Sequence, residues 1–244
     1  SIAVRQKTNL FPNKVKQYVV GDFESNPDFS NVLTKIDCII HLAGKAHVID
    51  ETKVSILEKY RKINTKFTLN LAKQAETAGV KRFIFLSSIR VNGNQNNHPF
   101  LETDTPNPQE PYAISKHEAE QGLLKLAESS LLKVVIIRTP LVYGKNAPGN
   151  FGRLTQWASA KIMIPLPLGA VNNARSLIAI DNLVSFIILC VLHQKSVNQI
   201  FLISDNDTIS TTELLKKIAK AFNKKALLLP VPISWMIFVA KLLG

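Results

Sequence analysis

Tyr112 and Lys116 stand four residues apart in the run PYAISKHEAE (residues 111–120), and Ser87 and Ser88 close an apolar run about two dozen residues earlier. A phenol is a poor acid and a poor base near neutrality, because its ordinary pKa is about 10. An ammonium one helical turn away shares its face and favours the phenolate. A nearby hydroxyl can hydrogen-bond the reacting oxygen. Together the three groups make a device for moving a proton on and off the oxygen of an alcohol/ketone pair. Tyr-x-x-x-Lys alone describes many solvated helix faces, so its context decides the reading.

That context is a strand, a loop and a helix. Residues 82–88 (RFIFLSS) read as a buried parallel strand ending in hydroxyls. Pro106, Pro108 and Pro111 break the chain just before the helix that carries Tyr112. Strands are expected near 1–5, 15–20, 36–43, 82–88 and 132–138, and helices near 26–34, 52–79 and 110–130. The long helix carries Ile56, Leu57, Tyr60, Ile63, Phe67, Leu71 and Ala75 close to a 3.6-residue period and ends at Gly79, a C-cap. This alternation predicts a doubly wound parallel sheet of the α/β class.

After Gly144 the texture changes. Residues 145–152 are rich in Gly, Asn and Pro and read as a loop. A short helix, the Pro-rich run 164–169, a strand over 175–180 and a helix from Asp181 follow. A strand over 199–203 precedes a helix over 210–222, whose opening Ser-Thr-Thr-Glu is a capping-box pattern. The last helix, 233–243, suits the core of a small second lobe better than a membrane-surface anchor, which needs a strongly basic polar face.

Composition narrows the function classes. The chain has 244 residues, 46% of them hydrophobic and 20% charged, and a formal charge of +12. Its Lys and Arg are dispersed and do not interleave with aromatics, which excludes the usual nucleic-acid motifs. A phosphorylated small molecule accounts for part of the charge. Cys38 and Cys190 each lie in an apolar run, as reduced core thiols of a cytoplasmic protein do. No stretch of about 20 apolar residues is present to span a membrane, and the N-terminus shows no signal-peptide pattern. The five histidines show no metal-ligand spacing, and His41 reads as a structural strand residue.

Seven segments in order resemble the extended short-chain dehydrogenase/reductase family, and within it the NAD-dependent sugar-nucleotide epimerases, dehydratases and 4-ketoreductases. They are Gly21–Phe23, Ile40–Gly44 (IHLAG), Asn64, Ser88–Gly93 (SIRVNG), Tyr112-x-x-x-Lys116, Arg138–Gly144 (RTPLVYG) and Arg175–Asp181. The resemblance implies a Rossmann-like domain over 1–144 and a small C-terminal α/β substrate lobe over 145–244, with about 175–193 returning to the first domain. Ser88, Tyr112 and Lys116 would be catalytic. NAD would meet Arg5, Asp22, Phe23, Leu42, Ala43, Gly44, Lys45, Asn64, Ser87, Tyr112, Lys116, Thr139 and Pro140. A UDP-sugar would meet Ser88, Asn150 and Arg175, with Lys145 near the diphosphate. Arg5 keeps NADP open as the cofactor, since an Arg there can meet a 2′-phosphate. Relatives pair through helices equivalent to 52–79 and 110–130, which implies a homodimer.

Four departures qualify the resemblance. Asn92 replaces the usual Tyr before Gly93, and Leu141 replaces an Asn that contacts the sugar nucleotide in many epimerases. Ile89 and Arg90 stand where dehydratases carry Asp-Glu, which argues against dehydration. No G-x-x-G-x-x-G turn occurs in the sequence. The family's first strand is therefore expected to be missing, with a gap between the strands at 15–20 and 36–43 and an inactive fragment as the result. The expected activity of the intact protein is UDP-sugar 4-epimerisation. A UDP-4-keto-6-deoxy-hexosamine 4-ketoreductase, and a non-catalytic nucleotide-binding scaffold on the same fold, are the alternatives.

Overall fold

The computed structural model describes residues 1–46, 53–147, 149–232 and 234–237. His47, the first residue of the expected long helix and most of the expected last helix fall outside the described residues. Residues 234–237 are helical. The chain divides into two compact units, one of residues 1–139 and 185–203, the other of 140–184 and 204–244.

The first unit holds two parallel sheets. Strands β1 (Ile2–Val4) and β2 (Gln17–Val19) pair with Ile2 opposite Gln17. A four-stranded sheet runs β3 (Cys38–His41), β4 (Arg82–Ser88), β5 (Lys133–Thr139) and β8 (Gln199–Leu202). In β4 every second side chain takes the same face. Phe83 and Phe85 pack with Phe67, Leu71, Ala75, Ala119 and Leu123. Ile84, on the opposite face, is buried as well. There the Arg82 guanidinium donates to the carbonyls of Cys190 and Val191, and Phe186 meets Phe201 edge to face. Both faces of the central strands are thus covered, which explains their near-continuous apolar sequences. This is the expected Rossmann-like α/β arrangement.

Three local departures have physical reasons. The helix expected over 26–34 shrinks to α1 (Ser30–Leu33), because Asn26 is left-handed at φ 51° and Ser30 N donates to the Asp28 carboxylate instead of to a helical carbonyl. The long helix is α2 (Lys53–Tyr60), a π-helical segment Arg61–Phe67 and α3 (Thr68–Thr77). Gly79, at φ 76°, closes it as expected. The expected gap is also corrected. β2 already pairs with one edge of β1, so the gap lies between β1 and β3. There a cavity of about 450 Å³ is lined by Ile2, Ala3, Phe23, Ile39, Phe67 and Leu71.

Helix α4 (Pro111–Glu128) starts on Pro111, whose fixed φ suits a first helical turn. It packs on the π segment through Arg61, which forks onto the Glu118 carboxylate at 2.9 and 2.5 Å.

The second unit has a three-stranded sheet of β6 (Leu141–Tyr143), β7 (Arg175–Ala179) and β9 (Thr208–Ile209). Helix α5 (Gly149–Ser159) begins inside the stretch expected to be loop, at Gly149 with φ 69°. Helix α6 (Ile180–Leu192) takes Asp181 into its first turn, and from Ser185 on its residues belong to the first unit. Helix α7 (Thr211–Ala221) has the expected capping box, with Ser210 and Glu213 exchanging hydrogen bonds. Tyr143, Ala179 and Asn182 all donate to Asp205, at 2.7 to 2.9 Å, fixing the ends of this sheet.

Candidate functional site

The carboxyl end of β4 and the first turns of α4 meet as the sequence suggests. Ser88 ends β4 and caps the 3-10 turn Ile89–Val91, accepting from Arg90 N at 3.3 Å. Its hydroxyl faces the Tyr112 phenol. Burial pushes the phenol pKa above its ordinary value, while the Ser88 hydroxyl and the Arg90 charge pull it down. The Tyr112 ring stands edge-on to Tyr60 with centroids 5.8 Å apart.

Lys116 is 4% exposed. Its Nζ donates to the Leu86 carbonyl at 2.9 Å and lies 4.4 Å from the centre of the Phe85 ring. Burial lowers its pKa to about 8, and the Glu120 carboxylate works against that fall. Spacing alone predicts that Lys116 lowers the Tyr112 pKa. In the structure the ammonium instead points at the β4 backbone, and burial dominates the phenol.

Wider turns of the π type inside helices frequently fall at functional sites. Asn64 lies in the π segment, and its side chain is fully buried. Its Oδ1 accepts from Lys45 N at 2.8 Å, and its Nδ2 donates to Lys45 O and Ser115 Oγ, both at 3.0 Å. Ser115 Oγ in turn donates to the Tyr112 carbonyl at 2.7 Å. Asn64 therefore ties the loop after β3 to the helix turn of Tyr112. Gly44 lies against this pair: a Cβ there would stand 3.4 Å from both Asn64 Oδ1 and Lys116 Nζ, an ordinary contact.

The other expected cofactor residues divide. Leu42, Ala43, Gly44 and Lys45 form the loop after β3, with Leu42 exposed. Thr139 Oγ1 reaches Ser87 O at 3.4 Å. Asp22 and Arg5 are exposed, but the Asp22 carboxylate also caps the turn Phe23–Ser25, and Phe23 stacks on Phe67 at 4.6 Å. Pro140 opens the second unit, where Arg175 is exposed on β7 and Lys145 in the loop after β6. Asn150 belongs to α5, and its side chain lies outside the described residues.

His41 is a core residue. It packs among Phe67, Phe83 and Phe85 and shares a 2.8 Å hydrogen bond with Thr68. Burial, with the Lys116 charge second, lowers its pKa to about 3, so it stays neutral across the working range. Among the described residues no cluster of His, Cys, Asp and Glu could hold a metal, and no helix is long and apolar enough to cross a membrane.

The sequence reading missed a buried polar knot. Glu120, 1% exposed, accepts from Ser87 Oγ at 2.5 Å and from Arg138 Nε and Nη2 at 3.1 and 2.6 Å. Arg138 Nη1 donates to Asn92 Oδ1 at 2.9 Å, and Asn92 Nδ2 to the Leu101 carbonyl at 3.0 Å. The available signal was the four-residue spacing of Tyr112, Lys116 and Glu120 along one helix face, opposite an arginine in an otherwise apolar strand.

A parallel sheet with a serine at a strand end, facing a Tyr–Lys pair on the next helix, defines a dinucleotide-dependent α/β enzyme. More narrowly, the chain belongs to the NAD dependent epimerase/dehydratase family, whose model matches residues 2–204. It is 44% identical over 230 residues to the UDP-glucose 4-epimerase of Vibrio cholerae, covering 93% of this chain and 70% of that one. It is 26% identical to the N-acetyl-alpha-D-glucosaminyl-diphospho-ditrans,octacis-undecaprenol 4-epimerase of Escherichia coli O157:H7, covering 95% and 68%. The structure of the Thermus thermophilus UDP-glucose 4-epimerase complexed with NAD superposes with a TM-score of 0.75 at 23% identity, covering 93% and 75%; at that identity it speaks for the fold alone.

Proposed function

We propose that the full-length protein is an NAD-dependent UDP-sugar 4-epimerase. The observation that carries this reading is the 44% identity to the Vibrio cholerae UDP-glucose 4-epimerase over nearly the whole chain. The residues fit part of a dinucleotide site. The loop 42–45 is pinned by Asn64 beside the buried ammonium of Lys116. NAD bound there supplies the acceptor and later the donor of a hydride at sugar C4.

The chain's own residues handle the proton. Tyr112 takes it from the C4 hydroxyl and returns it after the sugar has turned over. The Ser88 hydroxyl holds the same oxygen and offsets part of the pKa rise that burial imposes on the phenol. Lys116 supplies a positive charge below its pKa of about 8. In this proposal Arg175, with Asn150 and Lys145, holds the diphosphate, a task that suits a guanidinium. A homodimer through α2–α3 and α4, and a cytoplasmic setting for the free thiols Cys38 and Cys190, belong to the same proposal.

Incubating the full-length holoenzyme with UDP-glucose, UDP-N-acetylglucosamine and a UDP-4-keto-6-deoxy sugar tests it. Epimerisation of one of the first two, seen by NMR of the products, is expected. Reduction of the keto-sugar alone would transfer the assignment to the ketoreductase alternative. No turnover with NAD bound would remove the enzymatic reading.

A further inference from the structure

Glu120 is a buried carboxylate that the proton-transfer scheme does not use. It stands one turn beyond Lys116 on α4, as Lys116 stands one turn beyond Tyr112. Its two oxygens collect groups from other elements: Ser87 Oγ from the end of β4 and the Arg138 guanidinium from β5. Arg138 passes the linkage to Asn92 in the turn after Ser88, and Asn92 passes it to Leu101 in the following loop. The serine that faces Tyr112 therefore has neighbours on both sides, Ser87 and Asn92, anchored to one carboxylate.

A merely structural ion pair has no need of this placement. Replacing a buried pair by apolar groups is often neutral or stabilising, so burial of Glu120 and Arg138 is weak evidence for a stabilising role. The pair instead lies behind the proton-transfer groups and links the strand end, the turn and the helix that carry them.

We propose that Glu120 is a positioning residue for the reaction, resting on the epimerase reading above. It locks the Ser88 strand end to the Tyr112–Lys116 helix and sets a negative charge behind the Lys116 ammonium. The charged and titratable groups facing it are Arg138 from β5, His117 on its own helix with Nδ1 at 3.8 Å, and Lys116 one turn away; the Lys116 charge acts in turn on the neutral His41 of β3, and Arg90 and Tyr60 act on Tyr112. Burial would raise the Glu120 pKa, but the His117 ring, donation from Arg138 and Ser87 and the Arg138 charge keep it below the ordinary carboxylate value, so it is an anion throughout the working range.

Burial lowers the Lys116 pKa to about 8, and the Glu120 charge resists that fall. Glu120→Gln keeps an acceptor for Arg138 but removes the charge, so Lys116 gives up its proton at lower pH. In the full-length holoenzyme, kcat is expected to fall roughly tenfold with KM changed less than about threefold, and the alkaline limb of the kcat profile to move to lower pH. The ε-carbon NMR signal of Lys116, assigned with Lys116→Arg, is expected to report about tenfold weaker proton affinity in Glu120→Gln.

A folded Glu120→Gln with kcat within twofold of wild type and an unmoved Lys116 titration would overturn the proposal. Lack of turnover by the wild type would instead count against the epimerase reading, while the NMR titration would still decide the role of Glu120. If Glu120→Gln fails to fold, Ser87→Ala decides. It keeps both charges and frees the strand end, so kcat should fall about threefold or more with the alkaline limb in place; an unchanged kcat overturns the proposal.

Discussion

Tyr112→Phe in the full-length protein is expected to lower kcat for UDP-sugar epimerisation by roughly 10²- to 10⁴-fold, with KM changed by less than about threefold. The substitution removes one oxygen and little else. The ring keeps its edge contact with Tyr60, the helix keeps Ser115 beneath the Tyr112 carbonyl, and Lys116 keeps its bonds to β4. The sugar and the dinucleotide should therefore still bind, and the loss should fall on the chemical step. Burial raises the pKa of this phenol, and the Ser88 hydroxyl and the Arg90 charge offset that rise only in part, so forming the phenolate stays costly. Steady-state kinetics on both proteins measures the difference. A variant with kcat within tenfold of wild type would remove Tyr112 as the proton carrier.

Arg138→Met is expected to destabilise the protein by about 3–5 kcal/mol, the cost of leaving a buried partner charge unpaired. Glu120 is 1% exposed and would lose three of its four hydrogen-bond contacts, while Asn92 would lose the donor to its Oδ1. The double variant Glu120→Leu, Arg138→Met removes both charges and should recover most of the loss, while remaining catalytically impaired because the strand end is untied. Urea unfolding with an unchanged m-value gives the comparison. A loss below about 1 kcal/mol for Arg138→Met would show that Glu120 takes up a proton or water at little cost.

Much of the site was legible in the sequence because it is local. A strand that ends in serines and a helix that carries Tyr and Lys one turn apart are written in consecutive residues, and the backbone periods translate them into faces. Gly79 and the Ser210–Glu213 capping box were legible for the same reason. What could not be read depended on pairing across the chain. The Glu120–Arg138–Asn92 knot joins three elements whose partners no local pattern names. The π segment hides inside an ordinary amphipathic repeat, whose apolar spacing carries no mark of a wider turn. The orientation of Lys116 toward the Leu86 carbonyl is likewise a tertiary choice: four-residue spacing brings it to the Tyr112 face but does not say which oxygen it meets. The gap between β1 and β3 was misplaced because strand order is a property of the sheet, not of the order in the chain.

The most direct test of the account is the fate of hydrogen at sugar C4. UDP-glucose carrying deuterium at C4, or the UDP-sugar shown to be the better substrate, is incubated with the full-length holoenzyme in ordinary water, and NMR follows the product. If the hydrogen leaves as hydride and returns within the site while Tyr112 handles only the hydroxyl proton, the inverted product keeps its deuterium at C4. Deuterium replaced by solvent hydrogen at C4 would mean that the carbon itself exchanges a proton, and would contradict the division of labour assigned to Tyr112, Ser88 and Lys116.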